Sequence, residues 1–423
     1  MIPQILDLHI HSRFSRACSK DLTLPNIAAA AQIRGITLLS TGDFTHPGWF
    51  EHLRETLVET SAGVYQLKGS EIPTRFILGT EIASIKKHKD KVRRIHHLLF
   101  APNLEVVEIF NKKLVDHGCN IRSDGRPILG LTSKEILTLM LETDERMMMI
   151  PAHAWTPWFG IFGSKGGYDS LIEAYDDLAP HIRAIETGLS SDPLMNWRVG
   201  AVDNLTLISN SDAHSAAKLG REANVFQFDR EADITYDEIR RIITEGDRKK
   251  FLYTIEFYPE EGKYHYDGHA DCLFSCPPTE TKKYGGLCPK CGKALVIGVM
   301  NRIEELAVRT PDEAKKRSHI PYKNLVPLPE IIADTLGVGV ASKAVQQCYQ
   351  RLIKNIGNEF SILLDADLVN IEAASSPDIA RAVDRVRRGD IYIKPGYDGI
   401  FGTVKVFAED EGKKVQQQML GLG

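Results

Sequence analysis

Histidine and acidic residues stand at the ends of short apolar runs through the first 250 residues of the chain. The first run, ILDLHIH, carries His9 and His11, and later runs carry further residues of the same chemistry. Residues i and i+2 of a strand point to the same side, so His9 and His11 can bind one ion together. Neutral imidazole and carboxylate groups are ligands for zinc, iron or manganese. The candidate ligands and catalytic groups are His9, His11, Asp43, Glu81, His97, His153, Glu186, Asp212 and His214.

Each of these histidines, taken singly, could instead be a core or surface residue with a satisfied hydrogen bond. The set as a whole favours a metal centre, because DLHIHS, PAHAW and SNSDAHS each close an apolar run at one predicted cleft. Two or three ions a few ångströms apart, bridged by a glutamate such as Glu81, would activate water and neutralise phosphate charge. Phosphoester cleavage needs both effects.

The elements that must position these residues alternate between strand-like and helix-like segments, which predicts a β/α architecture. A β/α barrel brings the ends of its strands around one cleft, where loops supply the chemistry. The FILGTEI and HHLLFAP runs have only a short basic connection, which predicts an antiparallel pair. His97 stands at the start of its run, as a reversed strand requires.

A second constellation follows the predicted barrel and consists of four cysteines. Their spacing is C-x3-C-x11-C-x2-C, and the CPKCGK segment has the proline and glycine of a tight metal-binding turn. Four thiolates suit a closed tetrahedral zinc site, which is structural because it leaves no open position. The motif fixes no partner, so both nucleic-acid contact and a simple connector between domains remain open. The predicted zinc ligands are Cys272, Cys276, Cys288 and Cys291.

Local positive charge leads toward the predicted centre. The segment KKHKDKVRRIHH supplies Lys91, Arg93 and Arg94, and Arg13 follows the first histidine pair, so all four are candidate phosphate contacts. The alternative is a solvated basic face with no ligand.

An aromatic segment, AWTPWFGIF, comes directly after His153. Trp155 and Trp158 could stack on an unpaired or extruded base beside the centre. They could equally form an apolar plug, because buried aromatic rings mostly pack.

The composition bounds the class of protein. Of 423 residues, 43% are hydrophobic and 26% are charged, which is typical of a soluble globular chain with a large core. The formal net charge of −4 does not by itself indicate a nucleic-acid binder. No apolar run reaches the length of a membrane span, and the N-terminus lacks the features of a signal peptide. We therefore expect a cytoplasmic protein without a membrane partner.

The motifs DLHIHS, STGDFTHP, GTEI, HHLLFAP, PAHAW and SNSDAHS resemble those of the PHP (polymerase and histidinol phosphatase) superfamily. This resemblance implies a distorted seven-stranded β/α barrel with two to three divalent ions (Zn²⁺, Mn²⁺ or Mg²⁺) that hydrolyses phosphoesters. It implies three sets of ligands: His9, His11, Glu81 and Asp212; then Glu81, His97 and His153; then Asp43 and His214. The family's second motif has a histidine where this chain has Asp43, and SRFSRACSK offers no ligand after His11.

The order of barrel, cysteine ribbon and further C-terminal residues is similar to that of the endonuclease Q family within this superfamily. The segments SKDLT, PAHAWTPW, LGREAN, CPKCG and ASKAVQQCY agree with it. The resemblance implies a DNA repair enzyme that nicks DNA 5′ of deaminated bases (hypoxanthine, uracil, xanthine) and abasic sites, in double or single strands. Its expected catalytic residues are Asp212, His214 and Glu186, and a repair or replication clamp is a further expected partner.

Two other functions stay open from the residues alone. A small-molecule phosphomonoesterase, such as a histidinol-phosphate phosphatase, would use the same centre without needing the ribbon. A DNA-binding scaffold with a degenerate barrel would need neither ion nor water. The predicted organisation is a metallophosphoesterase barrel over 1–265, a zinc ribbon over 266–296 and a DNA-contacting α+β domain over 297–423.

Overall fold

The computed structural model describes residues 1–89 and 91–408, and the last part of the predicted C-terminal domain, 409–423, lies outside them. Its strands are β1 (Ile2–Asp7), β2 (Leu38–Ser40), β3 (Leu57–Ser61), β4 (Val64–Leu67), β5 (Arg75–His88), β6 (Lys91–Ala101), β7 (Ile128–Leu129), β8 (Met148–Pro151), β9 (Ala184–Glu186), β10 (Thr206–Ile208), β11 (Ala223–Phe228), β12 (Phe251–Glu256), β13 (Asp267–His269), β14 (Phe274–Cys276), β15 (Tyr322–Asn324), β16 (Tyr392–Lys394) and β17 (Thr403–Lys405). Its α-helices are α1 (Leu24–Arg34), α2 (Pro47–Thr56), α3 (Leu104–Asp116), α4 (Ser133–Leu141), α5 (Leu171–Tyr175), α6 (Pro193–Trp197), α7 (Tyr236–Glu245), α8 (Pro278–Lys283), α9 (Val299–Leu306), α10 (Pro311–Lys315), α11 (Leu328–Leu336), α12 (Lys343–Ile356), α13 (Glu359–Leu364), α14 (Leu368–Ala374) and α15 (Pro377–Arg388).

The chain divides into two compact units. The first consists of Met1–Gln32, Ile36–Ile255 and Asn301–Tyr322. The second consists of Ile33–Gly35, Glu256–Met300 and Lys323–Gly423. This division differs from the three parts expected from sequence, because the cysteine ribbon and the C-terminal helices fall in the same unit. No α-helix among the described residues has the length and apolar character to cross a membrane.

Seven strands of the first unit form a distorted barrel. Strands β1, β2 and β5 pair in parallel, β6 lies antiparallel between β5 and β8, and β9 pairs in parallel with β10. Single hydrogen bonds just beyond the strand ends close the ring. Ala154 N donates to Glu186 O at 2.9 Å, and His11 N donates to Ala213 O at 3.3 Å. The predicted fold class is confirmed, as is the antiparallel pairing of β5 with β6.

The barrel has an apolar core, to which each of its seven strands contributes at least one buried apolar side chain. These side chains form one buried cluster with the inner face of α7. Helix α7 begins at the Thr235 cap and ends at Gly246, whose φ of 61° suits glycine at a helix C-terminus. One representative from each barrel strand is Leu6, Leu38, Ile77, Leu98, Ile150, Ala184 and Ile208.

The second unit combines two short hairpins with a helical region. Strands β13 and β14 form one antiparallel hairpin, and β16 and β17 form the other around a glycine-containing turn. Helices α11 to α15 follow one another with short connections, and the Ser342 side chain caps α12. This mixture agrees with the α+β region expected after the ribbon.

Replacing Ile208 by alanine tests the barrel core. Ile208 is fully buried in the shared cluster, so its truncation leaves a cavity and should lower the free energy of unfolding by about 2–5 kcal/mol. Ile172→Ala is the control, because Ile172 is exposed and its loss should change stability by no more than about 0.5 kcal/mol. Urea unfolding followed by circular dichroism measures both; equal midpoints for the two variants would contradict this account of the core.

Candidate metal centre

Side chains from three parts of the barrel converge on one carboxylate. His9 and His11 follow β1, Glu81 lies within β5, and Asp212 follows β10. His9 Nε2 lies 3.5 Å from both Glu81 Oε2 and Asp212 Oδ1. His11 Nε2 lies 3.3 Å and 3.1 Å from the same two oxygens. One ligand atom from each of the four residues lies within 4.8 Å of the others, the spacing of a metal site.

A second group of ligand atoms lies on the other oxygen of Glu81. His96 Nδ1 is 2.6 Å and His153 Nε2 is 3.1 Å from Glu81 Oε1. Glu81 therefore stands between two groups of nitrogen donors, as a bridging ligand must. The sequence indicated such a bridge, and the structure brings the predicted residues His9, His11, Glu81, His153 and Asp212 together around it.

His97 does not belong to the second group, which is a correction to the expected ligand set. Successive side chains of a strand point to opposite faces, so in β6 only one of the two adjacent histidines can face Glu81. His96 takes that position. His97 points away, with Nε2 at 3.0 Å from Ser133 Oγ and Nδ1 at 3.3 Å from Tyr175 OH.

Glu186 lies behind His9 and not in the open centre, where a catalytic group would touch substrate. His9 Nδ1 contacts both carboxylate oxygens of Glu186 at 3.1 Å. The same carboxylate accepts from His153 N at 2.7 Å and from Asn210 Nδ2 at 2.8 Å. Because Glu186 holds the Nδ1–H of His9, the lone pair of Nε2 is left to face the centre. Glu186 is therefore a positioning residue.

Asp43 has the same relation to His11 and is likewise not among the grouped ligand atoms. His11 Nδ1 lies 3.2 Å from Asp43 Oδ1. Asp43 Oδ2 accepts from Ser12 N at 2.7 Å, Ser12 Oγ at 2.6 Å and Ser15 Oγ at 2.8 Å. These hydrogen bonds occupy the carboxylate that the resemblance assigned to a third ion, so Asp43 orients His11 instead.

His214 lies beside the centre without joining either ligand group of the described residues. Its Nδ1 donates to Asp212 O at 2.9 Å, and its ring packs against the ring of His11 with centroids 4.7 Å apart. Its side chain is 35% exposed, against 25% for Asp212, which suits a group that meets substrate.

The backbone is strained at the centre. Asp43, His153 and Asp212 have φ values of 50°, 29° and 47°, in the left-handed region that non-glycine residues rarely occupy. Buried Asp7 helps to hold the Asp212 turn, because it accepts from Ser211 N at 3.0 Å and Ser211 Oγ at 2.6 Å. Such strain persists where the surrounding hydrogen bonds over-determine the conformation.

Opposing charges decide the protonation of the centre. Burial alone would raise the pKa of Glu81, but His96, His9 and Arg126 hold the pKa of that carboxyl well below its usual range. Burial lowers the pKa of His96 to about 4, in spite of the attraction of Glu81. Glu81 is therefore an anion near neutral pH.

The residues present fit divalent ions. The buried His9 Nε2 has no hydrogen-bond partner among the described residues, although it faces two carboxylate oxygens. Mixed imidazole and carboxylate donors match the preferences of zinc and manganese. The two groups of ligand atoms can thus hold metal ions, with Glu81 shared between them.

The two predicted stacking residues, Trp155 and Trp158, differ in their exposure to solvent. Trp155 is 1% exposed, donates from Nε1 to Asn196 Oδ1 at 2.7 Å and packs on Phe162, so it belongs to the core and not to a base-binding surface. Trp158 is 50% exposed. The segment that carries Trp158 reaches the centre, since the ring of the next residue, Phe159, packs on His96 with centroids 4.5 Å apart.

The predicted phosphate-contacting residues also differ in how exposed they are and in whether the protein already binds their side chains. Arg13 and Lys91 are exposed, and Arg94 is partly exposed. Arg93 is engaged by the protein, because its guanidinium lies over the Tyr168 ring at 4.2 Å and donates to Gly167 O. Arg93 therefore has less freedom to meet a ligand than its neighbours.

The cysteine cluster of the second unit gathers a histidine in place of one cysteine. One ligand atom from each of His269, Cys272, Cys288 and Cys291 lies within 4.8 Å of the others. Cys276 is not in that group; it is buried, and its Sγ lies 3.3 Å from Thr281 Oγ1. Three thiolates and an imidazole form a closed zinc set as readily as four thiolates.

Comparisons with known proteins cover nearly the whole chain. The crystal structure of the lesion-specific endonuclease PfuEndoQ from Pyrococcus furiosus superposes with a TM-score of 0.84 at 35% identity, covering 96% of this chain and 95% of that one. A structure of endonuclease Q in complex with a 27-mer duplex that carries an abasic lesion at the active site gives a TM-score of 0.82 at 35% identity, with coverages of 97% and 98%. The uncharacterized protein YqxK of Bacillus subtilis is 30% identical over 94% of this chain and 98% of its own length. The chain belongs to the endonuclease Q family.

Two further matches concern parts of this endonuclease Q family member. Residues 327–390 match the family model described as the MJ0043 C-terminal domain. The uncharacterized protein MJ0043 of Methanocaldococcus jannaschii is 32% identical over 64% of this chain, and the match spans 34% of that longer protein.

Three residues of this endonuclease Q family member escaped the sequence analysis. The sequence does not distinguish His96 from the adjacent His97. Only the register of β6 against β5 shows that His96 faces Glu81. His269 had a usable signal, because the H-x2-C spacing of His269 and Cys272 equals the C-x2-C spacing of the second half-site. Arg126 stands outside every motif, and only its contact with Glu81 at 3.1 Å reveals it.

Glu186→Gln tests the positioning of His9. An amide cannot serve both as the full acceptor for His9 Nδ1 and as the partner of His153 N and Asn210, so Mn²⁺ affinity at the centre should fall about 10- to 100-fold. Titration calorimetry with Mn²⁺ measures the change, and Glu145→Gln, at an exposed glutamate, is the control. An affinity equal to that of the unmodified protein would remove this role from Glu186.

The ligand set of the ribbon is tested by two variants. His269→Ala should abolish the tight binding of Zn²⁺ by the second unit, whereas Cys276→Ser should retain it, because only His269 lies among the grouped donor atoms. Zinc content after dialysis against a weak chelator, measured by mass spectrometry, separates the two. The opposite pattern would restore the four-cysteine set.

Proposed function

We propose that this chain is a divalent-metal-dependent DNA repair endonuclease that nicks the phosphodiester 5′ of deaminated bases (hypoxanthine, uracil, xanthine) and of abasic sites. The single observation that supports it is the bridged ligand set around Glu81, in a chain that aligns end to end with endonuclease Q structures. The products would be a 3′-hydroxyl and a 5′-phosphate. One of those structures carries a duplex with an abasic lesion, which supports damaged DNA as the substrate class.

The two ligand groups already described would bind the proposed ions. His9, His11, Glu81 and Asp212 would hold one ion, and Glu81, His96 and His153 would hold a second. Zn²⁺, Mn²⁺ and Mg²⁺ are the candidates for this centre, and Zn²⁺ for the ribbon. Bound ions would supply the activation of water and the neutralisation of phosphate charge that hydrolysis needs.

Chain residues around the centre would bind the damaged strand. Arg13, Lys91 and Arg94 are exposed or partly exposed and would contact backbone phosphates, which position a duplex without reading its sequence. The exposed ring of Trp158 could stack on the extruded nucleotide, whose extrusion costs least where pairing is already weak.

The reaction itself is a hydrolysis with a simple balance. A water oxygen forms a bond to phosphorus, the bond from phosphorus to the 3′-oxygen breaks, and the proton lost by water is balanced by one gained at the 3′-oxygen. His214 donates its Nδ1–H to Asp212 O, which leaves Nε2 as the nitrogen available to take a proton from water. Glu186 and Asp43 keep the rings of His9 and His11 in place and do not touch the substrate.

The alternatives from sequence are less well supported. A phosphomonoesterase acting on small molecules is not favoured for a chain that matches endonuclease Q from end to end. Nothing in residues 1–89 or 91–408 identifies a binding surface for a repair or replication clamp. The proposal includes a cytoplasmic location, in keeping with seven cysteines of which none forms a disulfide.

Asp212→Asn tests the assignment of the centre. The amide removes a charged ligand from the first group, so nicking of a deoxyinosine duplex should fall by several orders of magnitude, on the scale of losses at catalytic positions. The assay uses end-labelled duplexes with inosine, uracil, an abasic site or no damage, each with and without a chelator, and circular dichroism checks folding. Chelation should abolish nicking of the unmodified protein.

Asp312→Asn is the matched control, because Asp312 is an exposed aspartate in the first turn of α10. It should nick at the rate of the unmodified protein. Near-normal activity of folded Asp212→Asn, or full activity in chelator, would contradict the proposal.

A further inference from the structure

Arg126 contacts the bridging carboxylate and is itself partly exposed to solvent. Arg126 Nη1 lies 3.1 Å from Glu81 Oε2, the oxygen that also faces His9 and His11. The Glu81 side chain has no exposed surface, whereas the side chain of Arg126 is 26% exposed. The Arg126 side chain therefore contacts the buried ligand set while part of it remains accessible to solvent.

The backbone around Arg126 is built for this placement. Gly125 passes so close to the ligand shell that a Cβ there would lie 2.3 Å from Asp43 Oδ2, which only glycine avoids. Gly125 N donates to Phe14 O at 3.1 Å, and Pro127 O accepts from a backbone N–H of β5 at 3.0 Å. Both neighbours of Arg126 are thus fixed to barrel elements, which leaves the direction of its side chain little freedom.

Most N–H groups of the Arg126 guanidinium donate to no residue in the described part of the chain. Among the described residues, Glu81 is the one hydrogen-bond partner of the Arg126 side chain, and it takes a single N–H of five. Arg302, a structural arginine of the same unit, donates instead to Phe162 O, to Tyr168 O and to the carboxylate of Glu305. An arginine that served only to neutralise Glu81 would be expected to fill its remaining donors in the same way.

We propose that Arg126 binds a non-bridging oxygen of the phosphodiester that is cleaved. This inference rests on the proposed function and names a residue for it. The planar fork can keep one N–H toward Glu81 and present the others to phosphate, a pairing that guanidinium makes better than ammonium. Its charge would stabilise the additional negative charge that the phosphoryl oxygens carry as water adds.

A purely structural role predicts different behaviour. If Arg126 only balanced the charge of Glu81, its removal would lower metal content or stability, and activity would fall in step with them. If it binds the phosphate, metal content and folding stay normal while phosphate affinity and the nicking rate fall. The two roles are therefore separable by measurements other than activity.

The experiment compares Arg126→Met and Arg126→Lys with Arg146→Met, a control at an exposed arginine paired with Asp144. Three quantities are measured on Mn²⁺-loaded full-length protein: the single-turnover nicking rate of a deoxyinosine duplex, the affinity for inorganic phosphate by calorimetry, and the bound Mn²⁺. Circular dichroism verifies folding.

Arg126→Met should nick on the order of 100-fold more slowly and bind phosphate about tenfold more weakly, with unchanged Mn²⁺ content. Arg126→Lys should fall between it and the unmodified protein, and Arg146→Met should match the unmodified protein. Unchanged phosphate affinity, or a loss of Mn²⁺ that parallels the loss of nicking, would overturn the inference. If the unmodified protein nicks no lesion, the proposed function fails, and the comparison of phosphate affinities still decides the role of Arg126.

Discussion

The structure depends on one buried carboxylate. Glu81 has no exposed surface, and moving an isolated anion out of water costs several kcal/mol even after the protein relaxes. Imidazoles on both of its oxygens and a guanidinium on one of them offset that cost. These partners come from separate strands and loops, so the barrel has to close for the charge to be tolerated. A bridging ligand for two cations is what such a carboxylate is suited to be.

A layer of residues behind the ligands gives the centre its geometry. Glu186 and Asp43 hold the outer nitrogens of His9 and His11, and Asp7 holds the turn before Asp212. Each is buried, and both carboxylate oxygens of each have hydrogen-bond partners. The ligand rings therefore have little rotational freedom. The positive φ values at Asp43, His153 and Asp212 belong to the same arrangement, since strain at a site is kept only where many contacts enforce it. Preorganisation of this kind favours ion binding because less conformational freedom is lost when the ion binds.

In the second unit, the grouped donor atoms differ by one residue from the set that the cysteine spacing predicted. The cysteine spacing predicted a closed metal site, and the donor atoms do gather. One donor is an imidazole from the end of β13, because the β13–β14 hairpin brings His269 beside the thiols and turns Cys276 toward Thr281. Either set would close the coordination sphere and leave the site structural. In the first unit, the aromatic segment likewise agrees with its prediction at only one of two residues. Trp155 packs in the core, whereas Trp158 is exposed to solvent.

The sequence by itself determined the features that depend on local periodicity and composition. The i, i+2 spacing of His9 and His11 and the antiparallel β5–β6 pair could be predicted from it, as could the metal-binding character of CPKC. Only the tertiary structure decided which of His96 and His97 faces Glu81, because a shift of one residue in register exchanges the two faces of a strand. The same is true of Asp43 and Glu186, whose type suits a ligand and an orienting partner equally, and of Arg126, which no motif marks. Distances of a few ångströms between residues far apart in the chain separate these roles, and those distances exist only once the barrel has closed.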